Sequence, residues 1–418
     1  MRNTLAAAVL SLSALPLLAA GPAPDSDWNQ WRGPNRDGHS ADTGLLKEWP
    51  AGGPPLAWKI ADLGTGLSSV SVSGDRIYTM GDQEGTCSIV ALNLSDGKTL
   101  WRAKVGKPDG GDGYPGPRCT PSSDGKVVVA VGQFGDLVCV DSNDGKELWR
   151  KNMIADFGGK LPHWGFADSP LIDGENVICI PGGPKGTVVA LKKATGDLVW
   201  QSAEVRDDAA YTSIVPTEIS GKKQYMVLTF ETLAGLDPAS GKVLWKTARK
   251  GKVAVIPDPI QKDGFVFTTS GYKVGCNVFK LNGSGADEVY SDEKAGVNDK
   301  NRTANHHGGM VLVGEHLYGT NEHSLRCVEL KTGKLIWENR CVGKGAVTFA
   351  DGNLIVRSQD GKGSVALVEA SPEGYKEHGR FDQPERSKKN SWPHPVVSGG
   401  KLYLRDQDVL LCYDVKAK

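Results

Sequence analysis

One short pattern returns along this 418-residue chain at intervals too regular for chance: an Asp, Ser or Thr, then Gly, then Trp four residues after the Gly. It reads "LSDGKTLW" ending at Trp101, "SNDGKELW" at Trp149, "KATGDLVW" at Trp200, "PASGKVLW" at Trp245 and "LKTGKLIW" at Trp337. Degenerate aromatic markers continue the series, so that Trp58, Trp101, Trp149, Trp200, Trp245, Tyr290, Trp337 and Phe381 follow one another at spacings of 43 to 51 residues. A repeat of this period overrides the two or three domains that length alone would suggest, because repeated units share one continuous architecture.

Each unit contains an apolar stretch, a short Gly turn, a second strand, a third strand, the Gly hairpin, and a fourth strand carrying the aromatic marker. The turns include "SSDGK" (122 to 126) and "IDGE" (172 to 175). Gly at 53 and Pro at 23, set between short Val/Ile/Leu runs, agree with an all-β chain, and no long helix-period segment interrupts them. Eight units of four antiparallel strands predict an eight-bladed β-propeller, whose radial packing buries both faces of every blade. After Phe381 the chain has enough sequence for only three strands. The lone strand "PPLAWKI" near the start, with its marker Trp58, is therefore expected to complete the last blade. Two smaller domains are the structural alternative, but no linker breaks the repeat.

Ten residues before the markers stand Ala91, Cys139, Ala190, Gly235 and Cys327, and Cys412 fits the same slot. A position restricted to small residues lies under a neighbouring ring. The motif thus reads as scaffold: Gly supplies the positive φ of the hairpin, and Trp58, Trp101, Trp149, Trp200, Trp245 and Trp337 spread flat surfaces between blades. Cys139, Cys327 and Cys412 become buried small hydrophobes rather than disulfide or metal partners. The pattern leaves Cys87, Cys119, Cys179, Cys276 and Cys341 unassigned.

The N-terminus has the form of a targeting segment. Arg2 precedes an apolar run from Leu5 to Ala20, and Ala19, Ala20 and Gly21 offer a cleavage site near position 20. We expect residues 1–20 to be a signal peptide and 21–418 a single propeller domain. The apolar run is short for a bilayer and contains Pro16, and no Cys follows it as a lipid attachment site. The expected location is periplasmic or secreted. Positive and negative side chains balance at 49 each, which gives no general attraction to nucleic acid or anionic lipid.

The repeats "VCVDSNDGKELW", "VVALKKATGDLVW" and "RCVELKTGKLIW" resemble the pyrroloquinoline-quinone-type propeller repeat, over roughly residues 28 to 418. That repeat occurs in quinoprotein dehydrogenases and in the BamB propeller of outer-membrane-protein assembly. The stretch "WNQWRGPNRDG" (28 to 38), with "SWPHPVVSGGKLYLRDQDVLLCYDVK" at the end, is further similar to secreted propellers of planctomycete type. The resemblance implies either a binding and assembly scaffold or an oxidoreductase holding PQQ with calcium. The quinoproteins use adjacent cysteines and a Glu, Asn and Asp calcium site. Here no two Cys are adjacent, and the residues themselves predict no cofactor.

No G-x-S-x-G elbow, P-loop, G-x-G-x-x-G or H-E-x-x-H occurs. "DSNDGKE" (141 to 147) has Lys146 where a calcium loop needs Gly, so it is a turn. Function is sought where the repeats differ. The connections between blades are long and irregular, as in "KPDGGDGYPGPR" (107 to 118), "NMIADFGGKLPHWG" (152 to 165) and "SDEKAGVNDKNRTANHHGG" (291 to 309), whereas the turns of the opposite face are short. These connections bring Arg118, His163, Trp164, Tyr211, Asn305, His306, His307, Trp392 and His394 toward one funnel. His163 and His394 are the stronger candidates, each held by a neighbouring Trp or Pro, and His307 is expected to point away from His306 as strand neighbours do. Such a set can hold a small molecule or a protein partner, or plug the channel with its own hydrogen bonds. A metal-dependent enzyme built on the histidines is a third reading.

Overall fold

The computed structural model describes residues 27–108 and 113–418. The expected signal peptide and its cleavage point lie outside the described residues. Every regular element among those residues is a β-strand, and the strands form eight sheets arranged as the blades of a propeller.

Blade 1 consists of Ser71–Ser73, Arg76–Gln83, Thr86–Asn93 and Thr99–Gly106. Blades 2 to 6 repeat this order, each strand hydrogen-bonded antiparallel to the next. Blade 7 runs from Gly345–Ala350 to Glu377–Phe381. Blade 8 has Val396–Ser398, Lys401–Asp406 and Val409–Asp414, and its fourth strand is Leu56–Ile60, paired antiparallel to Val409–Asp414. The two ends of the chain are thus knitted into one sheet. First strands of neighbouring blades touch one another, as Ser71–Ser73 does Ser122–Ser123, so they are the axial strands.

The Gly-to-Trp step is resolved in atomic terms. Each marker sits directly across from the small residue ten positions earlier: Trp101 from Ala91, Trp149 from Cys139, Trp200 from Ala190, Trp245 from Gly235 and Trp337 from Cys327. Trp58 faces Cys412. In blade 5 the partner of Tyr290 is Val278. Blade 7 departs from the expected series: the marker position before its bulge is Gly379, across from Leu367, and Phe381 lies two residues further on, across from Val365, with its ring against Trp49. The rings of Trp58, Trp101, Trp149, Trp200 and Tyr290 then cover the hairpin glycine of the following blade. A Cβ on Gly145 would lie 2.6 Å from the Trp101 ring, one on Gly196 2.8 Å from Trp149, and one on Gly241 2.4 Å from Trp200. The indole N–H groups finish the joint, Trp149 donating to the Lys193 carbonyl at 2.7 Å and Trp200 to that of Pro238 at 3.0 Å. Trp245 departs from this and donates within its own blade to Gln224.

All eight cysteines are buried and unpaired. Burial pushes the Cys139 thiol up to about 12, as expected of a packing residue rather than a nucleophile.

The sequence did not announce what fills the axis. Residues 28–40 enter from the face of the short turns and fold back on themselves inside the channel. Trp28 bridges to Val72 of blade 1, and the Asn29 carbonyl accepts from Ser123 N–H of blade 2. Buried Arg36 donates to the carbonyls of Ser169 at 2.8 Å and Pro170 at 2.6 Å, entering blade 3, and to that of Ile214 at 3.0 Å, entering blade 4. Trp31 Nε1 donates to Asp258 at 2.8 Å ahead of blade 5, and Arg32 donates to the Met310 carbonyl of blade 6. The segment leaves as His39–Ser40, a fifth strand parallel to the axial strand of blade 7. Around this plug runs a ladder in which each residue two places before an axial strand donates its N–H to the next blade's side-chain oxygen. Ser69 donates to Thr120, Thr120 to Ser169, Ser169 to Ser213, and Ser213 to Asp258, over 2.8 to 3.2 Å.

Candidate functional site

Because the plug stops short of the elaborated face, the channel becomes a blind funnel with Trp31 in its floor. The cavity measures about 220 Å³, and all eight inter-blade connections contribute to its wall. Leu67 comes from the connection into blade 1, Tyr114 and Arg118 from that into blade 2, and Trp164 from that into blade 3. Tyr211, Ile256, His306 with His307, Lys344 and Trp392 continue around the ring into blades 4 to 8.

Eight of the eighteen lining residues carry rings. The centroid of Tyr114 lies 4.8 Å from that of Trp392, which lies 5.2 Å from His307. His307 is 6.1 Å from His306, His306 4.5 Å from Tyr272, Tyr272 6.5 Å from Trp164, and Trp164 5.4 Å from Tyr211. These are the separations at which aromatic pairs attract, so the girdle is braced by its own neighbours.

Of the residues expected to converge, Arg118, Trp164, Tyr211, His306, His307 and Trp392 line the cavity, and Asn305, His163 and His394 do not. Asn305 is fully buried, holding the loop with bonds from its amide nitrogen to the Gly309 and Thr320 carbonyls. His163 is exposed at the rim, its ring edge-on to Trp164 at 5.4 Å. His394 lies beneath the floor, 4.5 Å from Trp31, with Nε2 bonded to the His307 carbonyl at 2.9 Å and its pKa driven down to about 3 by burial. The expectation that His307 turns away from His306 rested on strand alternation. The pair precedes the strand Met310–Val313 in an irregular loop, so both rings reach the wall.

Two histidines differ in their settings. The Nε2 of His307 meets Gln359 Oε1, which also accepts the Trp392 indole N–H at 3.2 Å. That second bond fixes the oxygen, so Nε2 carries the proton and Nδ1 is the lone-pair nitrogen. Nδ1 is buried with no partner, and burial holds the ring neutral, its pKa well below the ordinary value. His306 Nδ1 lies 2.7 Å from Glu322 and 3.0 Å from Lys344 Nζ, which itself contacts Glu322 at 3.0 Å. The hydrogen bond from His306, aided by Lys344, keeps the Glu322 carboxyl down at about 2. Opposite, Arg118 donates to the carbonyls of Gly116 and Tyr114, and burial lowers its guanidinium to about 10.

Sequence reading missed Trp31, Tyr114, Tyr272, Lys344 and Gln359. Tyr272 and Gln359 sit in the turns between second and third strands, which share the funnel face. The signal available for Trp31 was the density of two Trp and two Arg in "WNQWRGPNRDG", ahead of any repeat.

A quinone with calcium fits this wall poorly. The only charged side chains lining it among the described residues are the cations Arg118 and Lys344, whereas calcium needs carboxylate oxygen, and no cysteine lines it. Nor do three or more His, Cys, Asp or Glu side chains gather as a metal-binding set among those residues.

Comparison with known proteins agrees with the repeat. A family model described as outer membrane protein assembly factor BamB matches residues 85–323 and 294–414. The BamB of Xanthomonas campestris pv. campestris is 25% identical over 205 residues, 47% of this chain and 44% of that protein. That of Yersinia pestis is 27% identical over 188 residues, 42% of each. The chain thus spans less than half the length of these curated relatives. Among solved structures, BamB from Moraxella catarrhalis superposes with a TM-score of 0.59 at 17% identity, covering 86% of this chain and 97% of that one. Quinohemoprotein alcohol dehydrogenase from Comamonas testosteroni gives 0.54 at 12%, covering 94% and 81%. At these identities the structures share the fold and no more. The matched residues take in most of the blades, and the chain belongs to the BamB-like family of PQQ-type repeat propellers.

Proposed function

We propose that this protein is a periplasmic or secreted, non-catalytic binding scaffold whose partner or ligand seats in the funnel. One observation carries the reading: every blade sends a connection into a single blind, aromatic-walled cavity, while the opposite face has short turns and receives the plug. Rings and long polar side chains held by a rigid propeller form a recognition surface, and the described residues of the site include no nucleophile paired with a base that would make it a reaction centre. Membership of a family described by an assembly factor supports a protein partner, and among the described residues no helix is long and apolar enough to cross a membrane.

The test is photo-crosslinking in the native host, with the reactive amino acid placed at position 114 or 392 in the funnel, or at 175 in a turn of the opposite face. Adducts of defined size from the funnel positions alone are expected. Equal or stronger adducts from position 175 would overturn the assignment of the face.

A further inference from the structure

We infer that the seam between blades 4 and 5, on the face opposite the funnel, is a second binding cleft that takes a tyrosine side chain presented by a partner polypeptide. The inference is independent of what the funnel holds.

The cleft originates in one shortened hairpin. In blades 1, 2, 3, 4 and 6 the turn between third and fourth strands closes with an N–H-to-carbonyl bond across four residues, from Asn93 to Lys98, Asp141 to Lys146, Lys192 to Asp197, Asp237 to Lys242 and Glu329 to Lys334. In blade 5 the bond runs from Asn282 to Gly285 and encloses only Gly283 and Ser284. The four-residue loops carry the carbonyls of Ser142, Lys193 and Pro238 to which Trp101, Trp149 and Trp200 donate, and the glycines which those rings cover. The two-residue loop offers Trp245 neither, and a Cβ on Gly283 would meet nothing within 4 Å. Trp245 is turned back over its own blade instead. Its Nε1 donates to Gln224 Oε1 at 2.8 Å, and a Cβ on Gly235 would lie 2.2 Å from that nitrogen, which is why glycine stands where blades 1 to 3 have Ala or Cys.

The seam is left as a cleft of about 760 Å³, lined by Trp245, Gln224, Leu244, Gln261, Leu281 and Gly283 among others. Shape is the first property that selects an occupant. At five other joints a flat ring lies on the hairpin glycine, whereas here no ring covers Gly283. A glycine surface of this kind accepts the face of a ring. Hydrogen bonding is the second. Gln224 is 6% exposed, and the indole donor fixes its oxygen as the acceptor, so its amide nitrogen is a donor. That nitrogen has no hydrogen-bond partner among the described residues. A phenol brings an oxygen to meet it, and a phenyl ring does not. Size is the third. A cavity of roughly 150 Å³ accommodates benzene, so the cleft has room for backbone on both sides of the ring and is too large for a lone sugar or phenol to fill. Charge selects nothing, because the carboxylates of Glu218 and Asp263 line the cleft together with the ammonium groups of Lys222, Lys262 and Lys280.

The experiment titrates the full-length protein with the peptide acetyl-Gly-Gly-Tyr-Gly-Gly-amide, with the same peptide carrying Phe, and with D-glucose, binding being read by saturation-transfer NMR. The Tyr peptide should bind at least about fivefold tighter than the Phe peptide, and glucose should not displace it. Gln224→Glu keeps an oxygen for the Trp245 indole but removes the donor, and should abolish the preference for Tyr. Replacing Gly283 and Ser284 with the four residues 142–145 of blade 2 restores the longer loop. That protein should lose at least about fivefold in affinity for the Tyr peptide while its melting temperature is kept or raised, which tests the cleft even where the buried carboxylate of Gln224→Glu prevents folding. The inference is overturned if the Tyr peptide does not bind, if it binds no tighter than the Phe peptide, if glucose displaces it, or if the loop-grafted protein binds it as well as the native one.

Discussion

Trp149 shows what a single side chain does in this molecule. Its ring lies across from Cys139 in its own blade, covers Gly196 in the next, and anchors to the Lys193 carbonyl. Trp149→Ala should therefore lower the unfolding free energy by about 3–5 kcal/mol in chemical denaturation, the usual range for a buried aromatic. Gly196 has φ +72° as well as the ring 2.8 Å from a would-be Cβ, so Gly196→Ala should cost about 1–3 kcal/mol. The double variant should cost less than the two together, because removing the ring removes the clash, and strict additivity would show that the two do not meet. Asp168 is a residue of another kind. It is buried below the funnel near Arg36, with one oxygen accepting from Ile180 N–H and the other unpartnered, and burial raises its carboxyl to about 7. A folded pKa above the unfolded value of about 3.9 means that its contribution to stability is complete below that value and declines as the pH rises to about 7. Asp168→Asn should flatten that part of the stability profile between about pH 4 and 7. An unchanged slope in urea titrations across this window would refute the assignment.

At the scale of strands and connections, the hairpins were legible because the repeat places a glycine under a flat ring at five of the joints, Gly97, Gly145, Gly196, Gly241 and Gly333, and few other residue types satisfy that demand. The buried arginines were not. Arg405, on the second strand of blade 8, donates Nε to the Gln407 carbonyl at 2.9 Å and turns its guanidinium toward the carbonyls of Ser68, Met80 and Gly64 in and before blade 1. Arg357 makes the same crossing from blade 7 to the Arg405 carbonyl at 2.6 Å. A carbonyl partner carries no residue-type signature, so nothing in the sequence marks these arginines as seam residues rather than surface charges. Arg405→Met should lower stability by at least about 3 kcal/mol, since several carbonyls lose donors at about 1–3 kcal/mol each. Arg405→Lys should recover only part of that, as an ammonium cannot fork across the seam. Full recovery in thermal denaturation would mean that charge rather than geometry holds the joint. The funnel was half legible for a related reason. Long connections announce which face is elaborated, but the order of side chains inside an irregular loop follows no period, so His306 and His307 both face inward while His394 passes beneath them.

The whole molecule is closed in two ways, and they differ in what they hold. Leu56–Ile60 completes blade 8 and joins the chain ends edge to edge, whereas residues 28–40 join the blades through the centre. The first closure is visible in the sequence because it carries a marker Trp. The second is not, because the plug belongs to no repeat, and its contacts reach blades 1 to 7 one residue at a time. They are separable by truncation. A chain beginning at Leu45 keeps the eighth blade whole but leaves the Ser169, Pro170 and Ile214 carbonyls and the Asp258 carboxylate facing an open channel. It should still fold, melt at a lower temperature, and exchange amide hydrogens faster along the axial strands of blades 3 to 6 than along the outer strands. Its funnel has also lost its floor, so any ligand held against Trp31 should bind more weakly. A chain beginning at Ala61 loses the fourth strand of blade 8 as well, exposes the edge of Val409–Asp414 and leaves the ring open. It should unfold or associate through that edge rather than persist as a monomer. Equal melting temperatures for the native chain and the one beginning at Leu45 would show that the plug fills the channel without holding the blades together.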